Sequence, residues 1–385
     1  MMATSDALSR PGGPVAGRPL RVTLDMTFPN RFPVWGFSVY ARSLLEALQA
    51  RSDVSAHEIS GPVASNPRKT AGWLVSGARR DLLKHPADVL HCPAFVTPVR
   101  VPAAVVINIH DAAAQRFPQD YPLEWRVYNR FILPLVARGA GRIIALSEFS
   151  RQEAIKYYGV REGRVVVAPA APDPRYKPQS HEATERLLAE LGLPVGEDRV
   201  PLLLFSGAPF RRKNLDVVLR AMSGAAEGSK LSEALLLISG ATESGFEEYR
   251  ASIAAGGLRQ RVRWLGRVLH ESMPALYGAV DMLVYPSVYE GFGLPPLEAM
   301  SVGTPVVAAS ASCLPDVLGD AALLVPPDDA QGFAHAMNSL LTNEALRQKM
   351  VAAGQARAAT YTWERSARQT LEAYMAAANM KGRRS

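Results

Sequence analysis

Residues 284–307 read VYPSVYEGFGLPPLEAMSVGTPVV. An apolar run leads in, two glycines and two prolines break it, and a second apolar run leads out. The pattern predicts a buried strand, a tight loop, and a helix with Pro295 and Pro296 in its first turn, where the missing N–H of proline costs nothing. Glu290 then stands in the loop beyond the strand's carboxyl end. Glu298, eight positions on, is expected in the first helical turn, where the dipole favours a carboxylate. Gly291 and Gly293 allow a tight turn that brings free N–H groups forward, and such groups at a helix N-terminus form an anion site. A helix cap plus a surface glutamate is the plainer reading, but GFGLPP between the two makes the pair hard to credit to accident.

Outward from this stretch, apolar runs alternate with helical patterns in both directions. Strands are expected at 20–26, 87–93, 103–111, 142–147 and 164–170. A second series is expected at 200–207, 234–240, 262–266, 281–287 and 305–310, followed by AALLVPP. Continuous Val/Ile/Leu strands separated by helices mean parallel sheets covered on both faces. The fold class is therefore α/β, with two doubly wound, Rossmann-like domains facing a cleft at their carboxyl edges. The expected boundaries are a disordered tail over 1–18, a first Rossmann-like domain over 19–178 and a Pro- and charge-rich linker over 179–199. A second Rossmann-like domain follows over 200–360, then a helix over 361–378 that packs back toward the first domain.

Three further segments carry chemistry. SGAPFRRKNLDVVLRAM (206–222) ends a strand at Gly207 and sets Arg211, Arg212 and Lys213 before a helix that Asn214 is expected to cap. Cations at the carboxyl edge of a strand suit a phosphate or diphosphate, although a solvated basic turn is common. His110 and Asp111 end the strand AAVVINI, where a histidine can hydrogen-bond a hydroxyl, move a proton or merely finish the strand. Gly36 precedes the first helix, either to admit a phosphate or simply as part of a loop.

Composition bounds the rest. The chain has 385 residues, 48% hydrophobic and 21% charged, as in an ordinary globular protein. Residues 1–180 hold 23 Lys and Arg against 14 Asp and Glu, a net of +9; the remainder is −2, in keeping with the overall +7. A basic half suits an anionic partner such as a membrane surface or phosphorylated acceptor, or it is a solvated face. Cys92 and Cys313 follow no metal or disulfide spacing, which suits a reducing, cytoplasmic compartment. The opening MMATSDALSRPGGPVAGR has no apolar core of a secretory signal. There is no G-x-G-x-x-G, no G-x-x-x-x-G-K-[ST], no Asp-x-Asp and no His/Cys cluster. Dinucleotide, P-loop and metal chemistry are disfavoured, no cofactor is expected, and the charge of a leaving diphosphate falls to amides, Arg and Lys.

YEGFGLPPLEAMSVGTPVV resembles the Glu-x7-Glu motif of retaining glycosyltransferases with the GT-B fold, in family 4. FSGAPFRRKNLDVVLRAM resembles their R-K-N phosphate-binding segment. INIHD, ALSEFSRQEAIKYYGV and WLGRV…LYGAVDMLVYPS are similar too, and the likeness runs collinearly over about residues 20–375. It implies that Glu290, with the amides of Gly291, Phe292 and Gly293 and with Leu294, faces the donor sugar, and that Glu298 holds the ribose. It implies that Arg212 and Lys213 neutralise the diphosphate beside Gly207 and Gly36, and that His110 lies over the sugar ring near the acceptor. The strand-end segment usually read V-P-N-G-V-D is APAAPDP here, with Ala170 and Ala171 in place of Asn-Gly. The function implied is metal-independent, retaining hexosyl transfer, with mannosyl from GDP-mannose favoured over a UDP-sugar. The acceptor is a glycan or lipid-linked intermediate, with peripheral contact to anionic membrane at the cytoplasmic face and no nucleic acid partner. The alternatives are a non-catalytic nucleotide-sugar-binding or scaffold protein of a glycan-assembly complex, and a GT-B epimerase.

Overall fold

The computed structural model describes residues 18–32, 36–62, 72–94, 96–196, 199–208, 210–240, 247 and 249–382. Among the described residues twelve strands form two sheets. β1 (Leu20–Asp25), β2 (Val54–Ile59), β3 (Val89–Cys92), β4 (Ala104–Asn108), β5 (Arg142–Ala145) and β6 (Val165–Val167) build the first, in the order β2-β1-β3-β4-β5-β6. β7 (Leu202–Ser206), β8 (Leu235–Ser239), β9 (Val262–Gly266), β10 (Met282–Tyr285), β11 (Val306–Ala309) and β12 (Leu323–Val325) build the second, in the order β12-β11-β10-β7-β8-β9. The strand pairs with a described register are parallel. β3, β10 and β11 are buried along their whole length, so both faces are covered, as the unbroken apolar sequences of β10 and β11 predict.

Sequence and structure differ at several places. β2 (VSAHEI) was not expected. It is an edge strand with one neighbour, and its burial falls off at His57 and Glu58, so it lacks the apolar run that betrays a central strand. The helix expected around 122–138 runs from Leu123 to Gly139 with a π turn at Tyr128–Ile132. Helices at Ala330–Thr342 and Glu344–Ala358 went unread. The stretch expected as a linker does hold the short helix that the sequence suggests, His181–Glu190 capped by Ser180, but that helix packs on the Met273–Ala279 helix. Arg18 is not tail: its guanidinium donates to both carboxylate oxygens of Asp88, at 2.8 and 2.9 Å. Residues 1–17 of the expected tail lie outside the described residues, as do 245, 246 and 248 at the start of the helical pattern GFEEYRASIAAG.

The described residues pack as two compact units. One takes those up to Asn108 with Val136–Ile144 and the chain from Ala367 on; the other takes Ile109–Leu135 and Ala145–Ser366. The final helix, Trp363–Gly382, carries on past its expected end through Lys381. In the first unit the Tyr374 hydroxyl lies 2.7 Å from Nδ1 of His91 on β3, and Ala377 meets Gly141 where a side chain on the glycine would crowd. Both Tyr374 and His91 are fully buried, so this polar contact forms in a setting where leaving it unmade would be expensive.

Candidate active site

In the second sheet β7 has β8 on one side and β10 on the other. The chain winds outward to β9, returns, and winds outward again to β12. The crevice between the carboxyl ends of β7 and β10 is thus a topological switch point, where open α/β sheets bind ligands. Two loops frame it, 207–214 after β7 and 286–293 after β10.

The loops are sewn together by backbone and side-chain bonds. Val288 N–H donates to Arg212 O at 2.8 Å, and Arg212 Nη1 donates to Tyr289 O at 3.0 Å. Asn214 was expected as an N-cap. It adopts a left-handed conformation, φ 57°, with no side-chain capping bond. Its amide instead donates to the carbonyls of Pro286 and Pro327, at 3.2 and 2.6 Å. Asparagine tolerates that backbone better than most residues and thereby acts as a tie across the switch point.

Glu290, Arg212 and Lys213 come together there. Lys213 Nζ donates to Glu290 Oε1 at 2.6 Å, and Arg212 Nη1 lies 3.4 Å from Oε2. The Tyr285 hydroxyl donates to Oε1 at 2.9 Å and accepts from Lys213 at 3.1 Å. Burial alone would raise the carboxyl pKa, but the adjoining Lys213 and Arg212 charges overcome it and hold Glu290 down at about 2. Arg212 Nε is buried and has no hydrogen-bond partner among the described residues, an orphaned donor that an anionic ligand would satisfy. The methylenes of Lys213 pass over Gly207, 3.4 Å from where its Cβ would stand.

The loop's glycines have distinct reasons. A Cβ on Gly291 would collide with the His110 carbonyl oxygen. The Gly291 carbonyl accepts from Ser147 Oγ and Ser150 Oγ, both at 2.7 Å, and Ser150 Oγ also reaches His110 O at 2.8 Å. Gly293, at φ 89°, turns the chain into the Leu294–Val302 helix, a conformation that penalises any side chain. Phe292 is buried edge-on to Tyr361 with ring centroids 5.5 Å apart, and Leu294 is half-buried at the helix start. His110 lies two residues past β4 with its backbone against Gly291.

Glu298 is placed differently from expectation. It falls in the second turn, and the first turn holds no acid, because the helix begins one residue before the prolines. Its carboxylate stands apart from the cations and is buried. The Tyr277 hydroxyl donates to Oε2 at 3.3 Å, yet burial dominates and raises the pKa to about 7, with Asp173 adding to the rise. Tyr176 packs beside Tyr277 and His270, ring centroids 5.9 Å apart in each case.

Tyr277, Tyr285 and Tyr289 fall in the sequence within a helix, a strand and a loop, with nothing local to single them out. Their hydroxyls all touch functional groups. The Tyr289 hydroxyl donates to Glu153 Oε2 at 2.9 Å and accepts from Ala112 N–H at 2.8 Å, under the Arg116 guanidinium 5.4 Å from its ring centre. Gly36 belongs to the other unit. It is exposed at the start of the Gly36–Gln49 helix, and no atom of the described residues lies within 4 Å of where its Cβ would be. Among the described residues no cluster of three or more His, Cys, Asp or Glu is arranged to hold a metal ion.

Cations converging at a switch point, beside an uncapped helix N-terminus, suit a leaving group that gains negative charge as its bond breaks. Fold and site together define a transferase acting on a phosphate-linked donor. Comparison with known proteins narrows this. The glycosyl transferases group 1 model matches residues 195–357, and the glycosyltransferase family 4 model matches residues 34–175. O-antigen chain mannosyltransferase B of Escherichia coli is 32% identical over 292 residues, 74% of each chain. A D-inositol 3-phosphate glycosyltransferase of Nocardioides is 33% identical over 254 residues, 62% of this chain and 54% of the relative. Among solved structures, sucrose-phosphate synthase of Thermosynechococcus elongatus superposes with a TM-score of 0.74 at 21% identity, covering 92% of this chain and 98% of that one. WaaG, a glycosyltransferase involved in lipopolysaccharide biosynthesis, gives 0.66 at 19% identity, over 88% and 95% of the chains. The chain belongs to glycosyltransferase family 4, the glycosyl transferases group 1. It is a glycosyltransferase that moves a hexosyl group from a nucleotide sugar.

Proposed function

We propose that the protein is a retaining, metal-independent mannosyltransferase that takes its sugar from GDP-mannose and delivers it to a glycan or lipid-linked acceptor. The observation that carries this is the Arg212–Lys213 pair, with its orphaned Nε, at the switch point. In this reading the two cations and the amides at the Leu294–Val302 helix start hold the diphosphate, so charge growing on it in the transition state meets preorganised donors. Glu290 reads the sugar hydroxyls, Glu298 accepts from the ribose, Gly36 and Gly207 border the diphosphate, and His110 lies near the acceptor. The bond from the anomeric carbon to phosphate breaks, the acceptor oxygen bonds to the same face, and its proton passes to the departing phosphate.

The choice of mannose leans on similarity to O-antigen chain mannosyltransferase B and to the serotype-specific mannosyltransferase WbdA, 29% identical over 61% of this chain and 29% of the relative. The +9 balance of residues 1–180 supports peripheral attachment at an anionic, cytoplasmic membrane face, where a lipid-linked acceptor would be found. Among the described residues no helix is long and apolar enough to cross a membrane.

The test is mass spectrometry of the protein with UDP-, GDP-, ADP- and dTDP-sugars, with and without EDTA. Turnover of GDP-mannose that survives EDTA is the expected result. Loss with EDTA and rescue by Mg²⁺ or Mn²⁺ defeats the metal-independent reading, and tight donor binding with no turnover favours a non-catalytic binding protein.

A further inference from the structure

Scattered exposed apolar residues are ordinary on a protein surface, but one helix gathers five. Leu123, Val127, Phe131, Ile132 and Leu135 are each 45–68% exposed. Four of them recur every fourth residue. In a regular α-helix that spacing drifts by about 40° per step and would wind the stripe off the face. The π turn at Tyr128–Ile132 holds more residues per turn and offsets the drift, so the apolar residues stay in one line about 18 Å long.

The helix cannot roll this face inward. On its opposite side Asn129, Leu133 and Pro134 are buried; the Asn129 carbonyl accepts from Gln115 Nε2 at 2.7 Å, and its amide donates to Trp125 O at 2.8 Å. Arg126 and Arg130 are exposed one residue before Val127 and Phe131, and Glu124 is the sole acid on the segment.

We propose that this face seats the protein on an anionic lipid surface, with the apolar line entering the headgroup boundary and Arg126 and Arg130 contacting lipid phosphates. The choice of lipid follows from charge. A two-fold contact with a second copy would set Arg126 and Arg130 against the same arginines of the other chain, with Glu124 alone to offset them, whereas an anionic bilayer complements both the arginines and the line between them. The occupant rests on the reading of a peripheral membrane protein given above. What is new is the site and its apolar character, since charge alone would need no such line.

The experiment is co-sedimentation with phosphatidylcholine vesicles, with and without phosphatidylglycerol, across a salt series. Wild type is compared with Phe131→Ser/Leu135→Ser and with Arg126→Ser/Arg130→Ser. Circular dichroism and hydrolysis of the soluble donor report that each variant is folded. We expect wild type to bind the anionic vesicles, the serine pair to bind about tenfold more weakly or worse at every salt concentration, and the arginine pair to lose most of the salt dependence. If wild type binds and the serine pair binds equally well, the site is wrong while charge-driven attachment stands. If wild type binds no vesicle, both fall. Self-association abolished by the serine pair, without vesicle binding, assigns the face to a second copy and overturns the proposal.

Discussion

Lys213 Nζ lies 2.6 Å from Glu290 Oε1, so the cation proposed for the diphosphate and the carboxylate proposed for the sugar are each other's partner. Both side chains are about one-tenth exposed. Breaking such a pair by removing one member leaves an uncompensated buried charge, at a cost of about 3–5 kcal/mol. Lys213→Ala should therefore lower the denaturation midpoint as well as nucleoside diphosphate affinity. Lys213→Ala/Glu290→Ala should recover most of the stability and none of the affinity. A double variant no more stable than the single ones would show that the pair is not the coupling element. Because its pKa is depressed, Glu290 contributes stability above about pH 4.5, and that contribution is lost as pH falls toward 2.

Glu298 has the opposite sign. Its folded pKa of about 7 lies above the ordinary glutamate value of 4.5, so the native state holds the extra proton between those values. Its contribution is fully present below about 4.5 and is lost as pH rises through 7. Glu298→Gln keeps a neutral side chain throughout and should gain on wild type by up to about 3 kcal/mol across that window. Denaturation at pH 5 and pH 8 checks this. If the carboxylate accepts ribose hydroxyls, nucleotide affinity should rise from pH 6.5 to 8 in wild type and stay flat in the variant. Tyr277, Asp173 and Tyr176 are the titrating groups that act on it, and His270 packs beside Tyr176. Burial, with Arg175 adding to it, holds His270 below its ordinary 6.5, which leaves it neutral in that range.

Tyr289→Phe removes the hydroxyl that joins Glu153 to Ala112 N–H. Both partners stay buried in the variant, and an orphaned group costs roughly 1–3 kcal/mol. Since Tyr289 precedes Glu290 and Ala112 follows Asp111, kcat should fall while nucleoside diphosphate binding holds. Equal loss of both in calorimetry and kinetics would reduce the contact to general stability.

Much of this was legible in the chain. β10 and β11 declare themselves because a strand buried on both faces is apolar along its length; β3 and β4 show the same run broken by His91 and Asn108, whose side chains meet each other in the interior. The GFGLPP loop declares itself because few other backbones need those residues. What stayed hidden depends on neighbours far away in sequence. β2 has an exposed edge, so half its residues are free to be polar. The hydroxyls of Tyr277, Tyr285 and Tyr289 look like core residues until the fold supplies Glu298, Glu290 and Glu153. Asn214 reads as a cap because asparagine favours caps; that its amide spans 113 residues of sequence to Pro327 no local rule contains.

The two glycines proposed to border the donor give the sharpest contrast. Gly291 has a reason inside the protein: its Cβ would strike the His110 carbonyl, a backbone atom unable to swing aside. Gly291→Ala should therefore lose stability, by about 1–3 kcal/mol if the loop gives way, along with activity. Gly36 shows no such reason among the described residues, none of which comes within 4 Å of its Cβ position, and it begins a helix that alanine favours. Gly36→Ala should fold at least as stably as wild type. Any rise in donor KM, with the melting temperature held, would then report the ligand rather than the protein. Gly36→Ala with unchanged KM would remove Gly36 from the donor site, while Gly291→Ala with unchanged stability would mean that the 291–293 loop moves freely away from His110.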